Sequence, residues 1–156
     1  MSPLSGEGRG ELPGAVLFAC NLNCVRSPMA AGLLRSKFAG RIFVESCGLR
    51  AGTEVDPFAV SALDEVGIDL AQHCPRAFQD LDDSSFDLVV SLTPEAHHRA
   101  LEFARGLAMT VVYWPTMDPT LYEGGREQRM TQYRMVRDGL ERRIDDYFGR
   151  PSTFGG

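Results

Sequence analysis

Cys20 and Arg26 bracket the short stretch Cys20-Asn21-Leu22-Asn23-Cys24-Val25-Arg26. A cysteine attacks as its thiolate, which is a strong nucleophile. A guanidinium can fork onto two oxygens of a tetrahedral anion. A third candidate lies far along the chain, Asp118, directly before Pro119. A carboxyl group there could protonate a leaving oxygen and later take a proton from water. Together these three types are what cysteine-based phosphoryl transfer requires. Taken singly they are ordinary: a cysteine closing a buried strand, a surface arginine, an Asp-Pro turn. The elements around them set them apart.

Ala15-Val16-Leu17-Phe18-Ala19 is a continuous apolar run of the kind found in a buried parallel strand. Ser27-Pro28 then reads as a helix start, with serine at the N-cap and proline at the first helical position. A loop entering a helix N-terminus turns unpaired N–H groups toward one small space, and the helix dipole adds positive potential. Such a place binds phosphate-like anions and favours the thiolate of a cysteine set beside it. The candidate cradle is therefore Asn21, Leu22, Asn23, Cys24, Val25, Arg26 and Ser27, with Cys20 at its mouth.

The same signals recur downstream. Strands are expected at Ile42–Val44, Phe86–Leu92 and Thr110–Trp114. Asp56-Pro57 should cap a helix running to about Gly67, with Val60, Leu63 and Val66 on its buried face. Further helices are expected at Glu95–Arg105 and Arg126–Phe148. In the last one Met130, Tyr133, Val136, Leu140, Ile144 and Tyr147 mark the buried face, and its arginines and acids read as a solvated outer face, not a binding patch. Alternating strands and helices imply one α/β domain of three layers, a four-stranded parallel sheet with helices on both faces. Ligands in such folds bind beyond the carboxyl ends of the strands. The Cys20 loop follows the first strand and the Asp118 loop, Pro115–Gly125, follows the fourth, so the two should face each other. The domain is read as residues 15–148, between a tail at 1–14, polar and rich in Gly and Pro and expected to be disordered, and a frayed tail at 149–156.

A chain of 156 residues, 44% hydrophobic, suits one domain with a proper core. A net charge of -5 argues against general nucleic-acid binding. The N-terminus has no apolar signal-peptide core and no run reaches spanning length, so a cytoplasmic protein is expected. Cys20, Cys24, Cys47 and Cys74 have no zinc-ligand spacing and form no cluster with His73, His97 and His98. Neither a metal nor another cofactor is implied. Cys47 and Cys74 read as structural, and His97 and His98 as solvated. His73 reads either as structural or as a support for the site.

In order and separation these motifs resemble the low-molecular-weight protein tyrosine phosphatases. The family pattern is an apolar strand, then C-x-G-N-x-C-R-S-P, a helix, and a late Asp-Pro. Here it stands as Val16-Leu-Phe-Ala-Cys20, Asn23 and Arg26-Ser27-Pro28-Met29-Ala30. Ser46-Cys-Gly48, Val55-Asp56-Pro57, Glu65-Val-Gly-Ile-Asp69 and His73 extend the likeness over about Val16–Phe148. The resemblance implies that Cys20 attacks phosphorus, Arg26 and the loop N–H groups hold the phosphate, and Asn23 fixes the loop. It implies that Ser27 bonds the thiolate and Asp118 is the general acid, then the base. The substrate would be a phosphorylated protein or a small aryl phosphate, with no nucleic-acid or membrane partner; oligomeric state is left open.

Three departures from the pattern stand out. The loop glycine is Leu22 here, where a side chain is expected to strain or reshape the loop. The second loop cysteine has moved from position 25, now Val25, to Cys24; either redox protection of Cys20 or plain loop packing is open to it. Aromatic pocket walls are missing from the loop Leu49–Val55, with Tyr122 and Trp114 as partial substitutes. Two other functions remain. Arsenate reductases share this fold, but thioredoxin-coupled members carry two more cysteines around and after the third strand, and residues 86–105 hold none. A non-catalytic phosphate-binding module is favoured by Leu22 and disfavoured by the joint presence of Cys20, Arg26, Ser27 and Asp118.

Overall fold

The structure, a computed structural model, describes residues 12–82 and 85–149. Most of the two expected tails lies outside these. Of the first, Leu12 packs against the core and the Gly14 N–H donates to Asp87 Oδ2 at 2.8 Å.

The elements run β1 (Ala15–Cys20), α1 (Arg26–Lys37), β2 (Phe43–Gly48), α2 (Pro57–Asp64), β3 (Leu88–Ser91), α3 (Pro94–Phe103), β4 (Thr110–Tyr113) and α4 (Arg126–Phe148). The four strands form one parallel sheet in the order β2-β1-β3-β4. β1 is central, and Val16 to Cys20 are all buried, as a continuous apolar run requires. Side chains alternate across it. Val16, Phe18 and Cys20 face a core shared with α1, α2 and α4, whereas Leu17 and Ala19 face a second core against α3. This is the expected three-layer architecture.

β2 starts later than expected and runs on to Gly48, because each of the six β1 residues takes a partner, from Ala15 opposite Phe43 to Cys20 opposite Gly48. α2 has the expected Asp56 cap, whose side chain accepts from the Phe58 N–H at 2.8 Å. It ends at Asp64, and a turn with Gly67 at φ 81° follows. Val66 therefore lies past the helix and is exposed; Ala59, Ala62 and Leu63 carry the buried face instead.

α4 buries Met130, Tyr133, Val136, Leu140 and Ile144 as its periodicity demands, and Phe148 as well. Tyr147 is half-buried, edge-on to Trp114. Not every arginine of α4 belongs to a solvated face. Arg137 is buried and donates to the Ala62 carbonyl at 2.9 Å and to Glu65 Oε1 at 2.8 Å. Arg134 grips the same Glu65 through both carboxylate oxygens. Hydrogen bonds from Arg134 and then Arg137 hold the Glu65 carboxyl well below the usual range, at about 2. α4 is thereby clamped to the end of α2.

Two other expectations change. Cys74 is exposed. His97 is half-buried, its Nδ1 2.8 Å from Ser91 Oγ and its ring stacked on Tyr113. Ser91 ends β3 and His97 lies on the first turn of α3, so the fold brings them together. His98 is exposed, as expected.

Candidate functional site

The loop between β1 and α1 turns its carbonyls outward. The Cys20 and Asn21 carbonyls accept from Leu49 N–H, Leu22 from Gly52, Cys24 from Asp56, and Val25 from Met29. The Asn23 carbonyl lies 2.9 Å from His73 Nε2. With every carbonyl so engaged, the peptide N–H groups turn the other way. Among the described residues the N–H groups of residues 21–25 donate to nothing else. Unpaired N–H groups are thereby gathered at the start of α1, an arrangement that can hold an oxyanion.

Asn23 makes this arrangement possible. It is fully buried and is the only non-glycine described residue with positive φ, at 59°. Asparagine tolerates that region better than most side chains. Its Nδ2 donates to Ser27 Oγ at 2.8 Å and Ser46 Oγ at 2.9 Å, and its Oδ1 accepts from the Arg76 N–H at 2.9 Å. Leu22 is not in the left-handed region; the glycine of the family pattern is replaced without that backbone strain. Its side chain is exposed at the cavity rim. Asn21 ties the loop to the other layer, accepting from Thr93 Oγ1 at 2.7 Å, while Thr93 caps α3. His73 is the supporting histidine. Burial pushes its imidazole below the ordinary value, with Arg35 adding to this and the bond to Asn23 opposing it.

Ser27 is not the helix cap. α1 begins one residue earlier, at Arg26, and no side chain caps it. The Ser27 hydroxyl instead lies 2.9 Å from Cys20 Sγ, with the Asn23 amide donating into its oxygen. When Cys20 is a thiolate the hydroxyl donates to the sulfur. The first-turn N–H groups are left for an anion. Cys24 also lines the cavity. Burial, then the neighbouring Cys20 and Asp56, push its thiol up, so it stays protonated at neutral pH.

Arg26 reaches across to the loop after β4. Its Nη1 donates to the Thr116 carbonyl at 3.0 Å, and its Nη2 lies 3.8 Å from Asp118 Oδ2. The two loops therefore do face each other. Asp118 Oδ1 accepts from both the N–H and the hydroxyl of Thr120, at 3.0 and 2.7 Å. Oδ2 is the oxygen turned toward Arg26.

Cys20, Arg26 and Asp118 line one cavity of about 830 Å³ with Leu22, Leu49, Arg50, Val55, Phe58, Thr120 and Arg129. Its aromatic wall is Phe58, from α2. Trp114 is buried against Phe18, and Tyr122 turns its hydroxyl to the Met117 sulfur, so neither forms the wall expected of it. The sequence motifs do not point to Phe58, Thr120, Arg129 or Tyr133 as site residues. Tyr133 donates its hydroxyl to Asp56 Oδ2 at 2.7 Å, fixing the residue that caps α2 beneath the cavity. Only its apolar spacing was visible in the sequence.

The sequence model described as "Low molecular weight phosphotyrosine protein phosphatase" matches residues 15–151. Over 77 residues the chain is 38% identical to the glutaredoxin arsenate reductase of Synechocystis sp., covering 49% of this chain and 58% of that protein. It is 31% identical to the arsenate reductase of Halalkalibacterium halodurans, over 85% of this chain and 93% of the relative. It is 30% identical to the low-molecular-weight protein-tyrosine-phosphatase Wzb of Escherichia coli K12, over 78% and 86%. A solved structure of an arsenate reductase in its phosphate-binding state superposes with a TM-score of 0.72, at 28% identity, covering 89% of this chain and 99% of that one. With the cradle, its arginine and its asparagine in the family's order, this chain belongs to the low-molecular-weight phosphotyrosine protein phosphatase family.

Proposed function

We propose that the protein hydrolyses phosphate monoesters, with phosphotyrosine as the substrate class, through a cysteinyl-phosphate intermediate. Cys20 attacks phosphorus as its thiolate. The loop N–H groups and Arg26 hold the equatorial oxygens, whose charge they stabilise in the transition state. Asp118 gives the leaving oxygen its proton and then, as carboxylate, takes one from the water that cleaves the S–P bond. Ser27, bonded to the sulfur, stabilises the departing thiolate. The observation that carries the reading is Asp118 Oδ2 3.8 Å from Arg26 Nη2. A carboxyl beside the anion-holding guanidinium is what an ester's leaving group needs.

Arsenate reduction is the second reading, favoured by the arsenate reductases among the relatives. The same cradle suits arsenate. Reduction to arsenite consumes two electrons, normally from a pair of thiols. Cys47 is buried against α3, Cys74 is exposed on another segment, and α3 itself carries no cysteine. A reductase built on this chain would have to draw on Cys24 or an external thiol. Para-nitrophenyl phosphate and arsenate with a dithiol, given separately to the wild type and to Cys20→Ser, divide the readings. Ester hydrolysis that Cys20→Ser abolishes, without arsenite production, supports the phosphatase. Thiol-dependent arsenite with no ester turnover would replace it.

A further inference from the structure

Arg129, on the first turn of α4, is half-buried on the cavity wall and has no carboxylate partner among the described residues. Its guanidinium lies 4.3 Å from the centre of the Phe58 ring, and Arg126 lies over the same ring at 5.4 Å. Phe58 also stacks on Tyr133, with ring centres 5.2 Å apart. Little of Phe58 is left for a substrate ring. The aromatic wall instead serves to hold a guanidinium at the cavity through a cation–π contact. Arg50 is exposed on the same cavity and also lacks a carboxylate partner among the described residues.

The cavity's own carboxylates do not meet this charge. Asp56 is engaged by the Phe58 N–H and the Tyr133 hydroxyl. Asp118 is engaged by Thr120 and faces Arg26. Glu54 is exposed at the rim. Arg26 and the loop N–H groups already supply the phosphate's partners. A half-buried cation left over beside them marks a place for a second anion.

We infer that the favoured substrates are phosphopeptides carrying a carboxylate next to the phosphorylated residue, which Arg129 and Arg50 pair with. This rests on the phosphatase reading. The pair does not form with a neutral flank, and a basic flank is repelled.

The test compares two phosphotyrosine peptides of equal length, one flanked by Asp and Glu and one by Ser and Gly. Para-nitrophenyl phosphate reports on the phosphatase reading itself. For the wild type kcat/KM should favour the acidic peptide about tenfold at low salt, and the preference should shrink as ionic strength rises. In Arg129→Gln the ratio should fall toward one, and Arg129→Lys should restore part of it. A wild-type ratio near one overturns the inference while ester turnover leaves the phosphatase reading standing. So does an Arg129→Gln variant that loses both peptides equally. If the wild type cleaves none of the three substrates, the phosphatase reading falls and takes the inference with it.

Discussion

Thr120 shows how much of the site rests on single side chains. Its N–H and hydroxyl both hold Asp118 Oδ1, which leaves Oδ2 as the oxygen that can carry the transferred proton. It acts as a positioning residue, and the leaving group should expose it. Thr120→Val should lose about tenfold in kcat/KM on phenyl phosphate, whose leaving oxygen needs a proton, and far less on para-nitrophenyl phosphate. Thr120→Ser should behave like the wild type. Equal losses on both esters would mean that Thr120 matters only to the fold. Residues of this kind were not legible beforehand. Cys20, Arg26 and Asp118 announced themselves by type and order. Thr120 depends on a turn two residues long, and Arg129 looked like one more charge on a helix rich in them. Leu22 misled in the opposite direction, because the left-handed residue of this loop is Asn23 and a side chain at position 22 needs no special backbone.

The elements position these residues through close contacts at their ends. Gly48 ends β2 beneath the cradle, and a Cβ there would lie 2.8 Å from the Asn21 and Arg50 carbonyl oxygens and 2.9 Å from the Asn23 nitrogen. All three are backbone atoms, so the loop itself would have to move. Gly48→Ala should cost about 1–3 kcal/mol in urea denaturation and at least about tenfold in kcat/KM. Unchanged activity would mean the loop tolerates the shift. Strand and helix identities were readable from apolar runs, Asp-Pro and Ser-Pro starts and the 3.6-residue period of α4. Their ends were less so. β2 is set by the length of β1, its partner. Ser27 has the right chemistry for a helix cap yet serves the thiol. Arg137 could not be told from its solvated neighbours, because its burial depends on Glu65 and Ala62 at the end of a different helix.

At the scale of the whole molecule, the layer order places the site. With β1 central and Cys20 on its α1 face, loops from β1, β2 and β4 converge at one end of the sheet. Among the described residues no helix is long and apolar enough to cross a membrane. Folding also ties the cradle to pH. Burial holds the His73 imidazole below its ordinary value of 6.5. The unfolded chain therefore takes up a proton before the folded one does. His73's share of stability is complete above about pH 6.5 and is lost as pH falls through the lower folded value. The thermal midpoint should drop as pH is lowered from about 7.5 to 5.5, and His73→Gln should flatten that drop. An identical slope in both proteins would contradict the assignment.

The most direct test of the central claim is the fate of the phosphoryl group in Asp118→Asn. Para-nitrophenolate leaves without an acid, so Cys20 should still be phosphorylated, while the step that needs a base to activate water is slowed. Rapid mixing with para-nitrophenyl phosphate should then release a burst of nitrophenolate equal to the enzyme present, followed by slow turnover, with phosphate covalently on Cys20. No burst and no phosphorylated Cys20, in a folded protein that binds phosphate, would contradict a cysteinyl-phosphate mechanism for this chain.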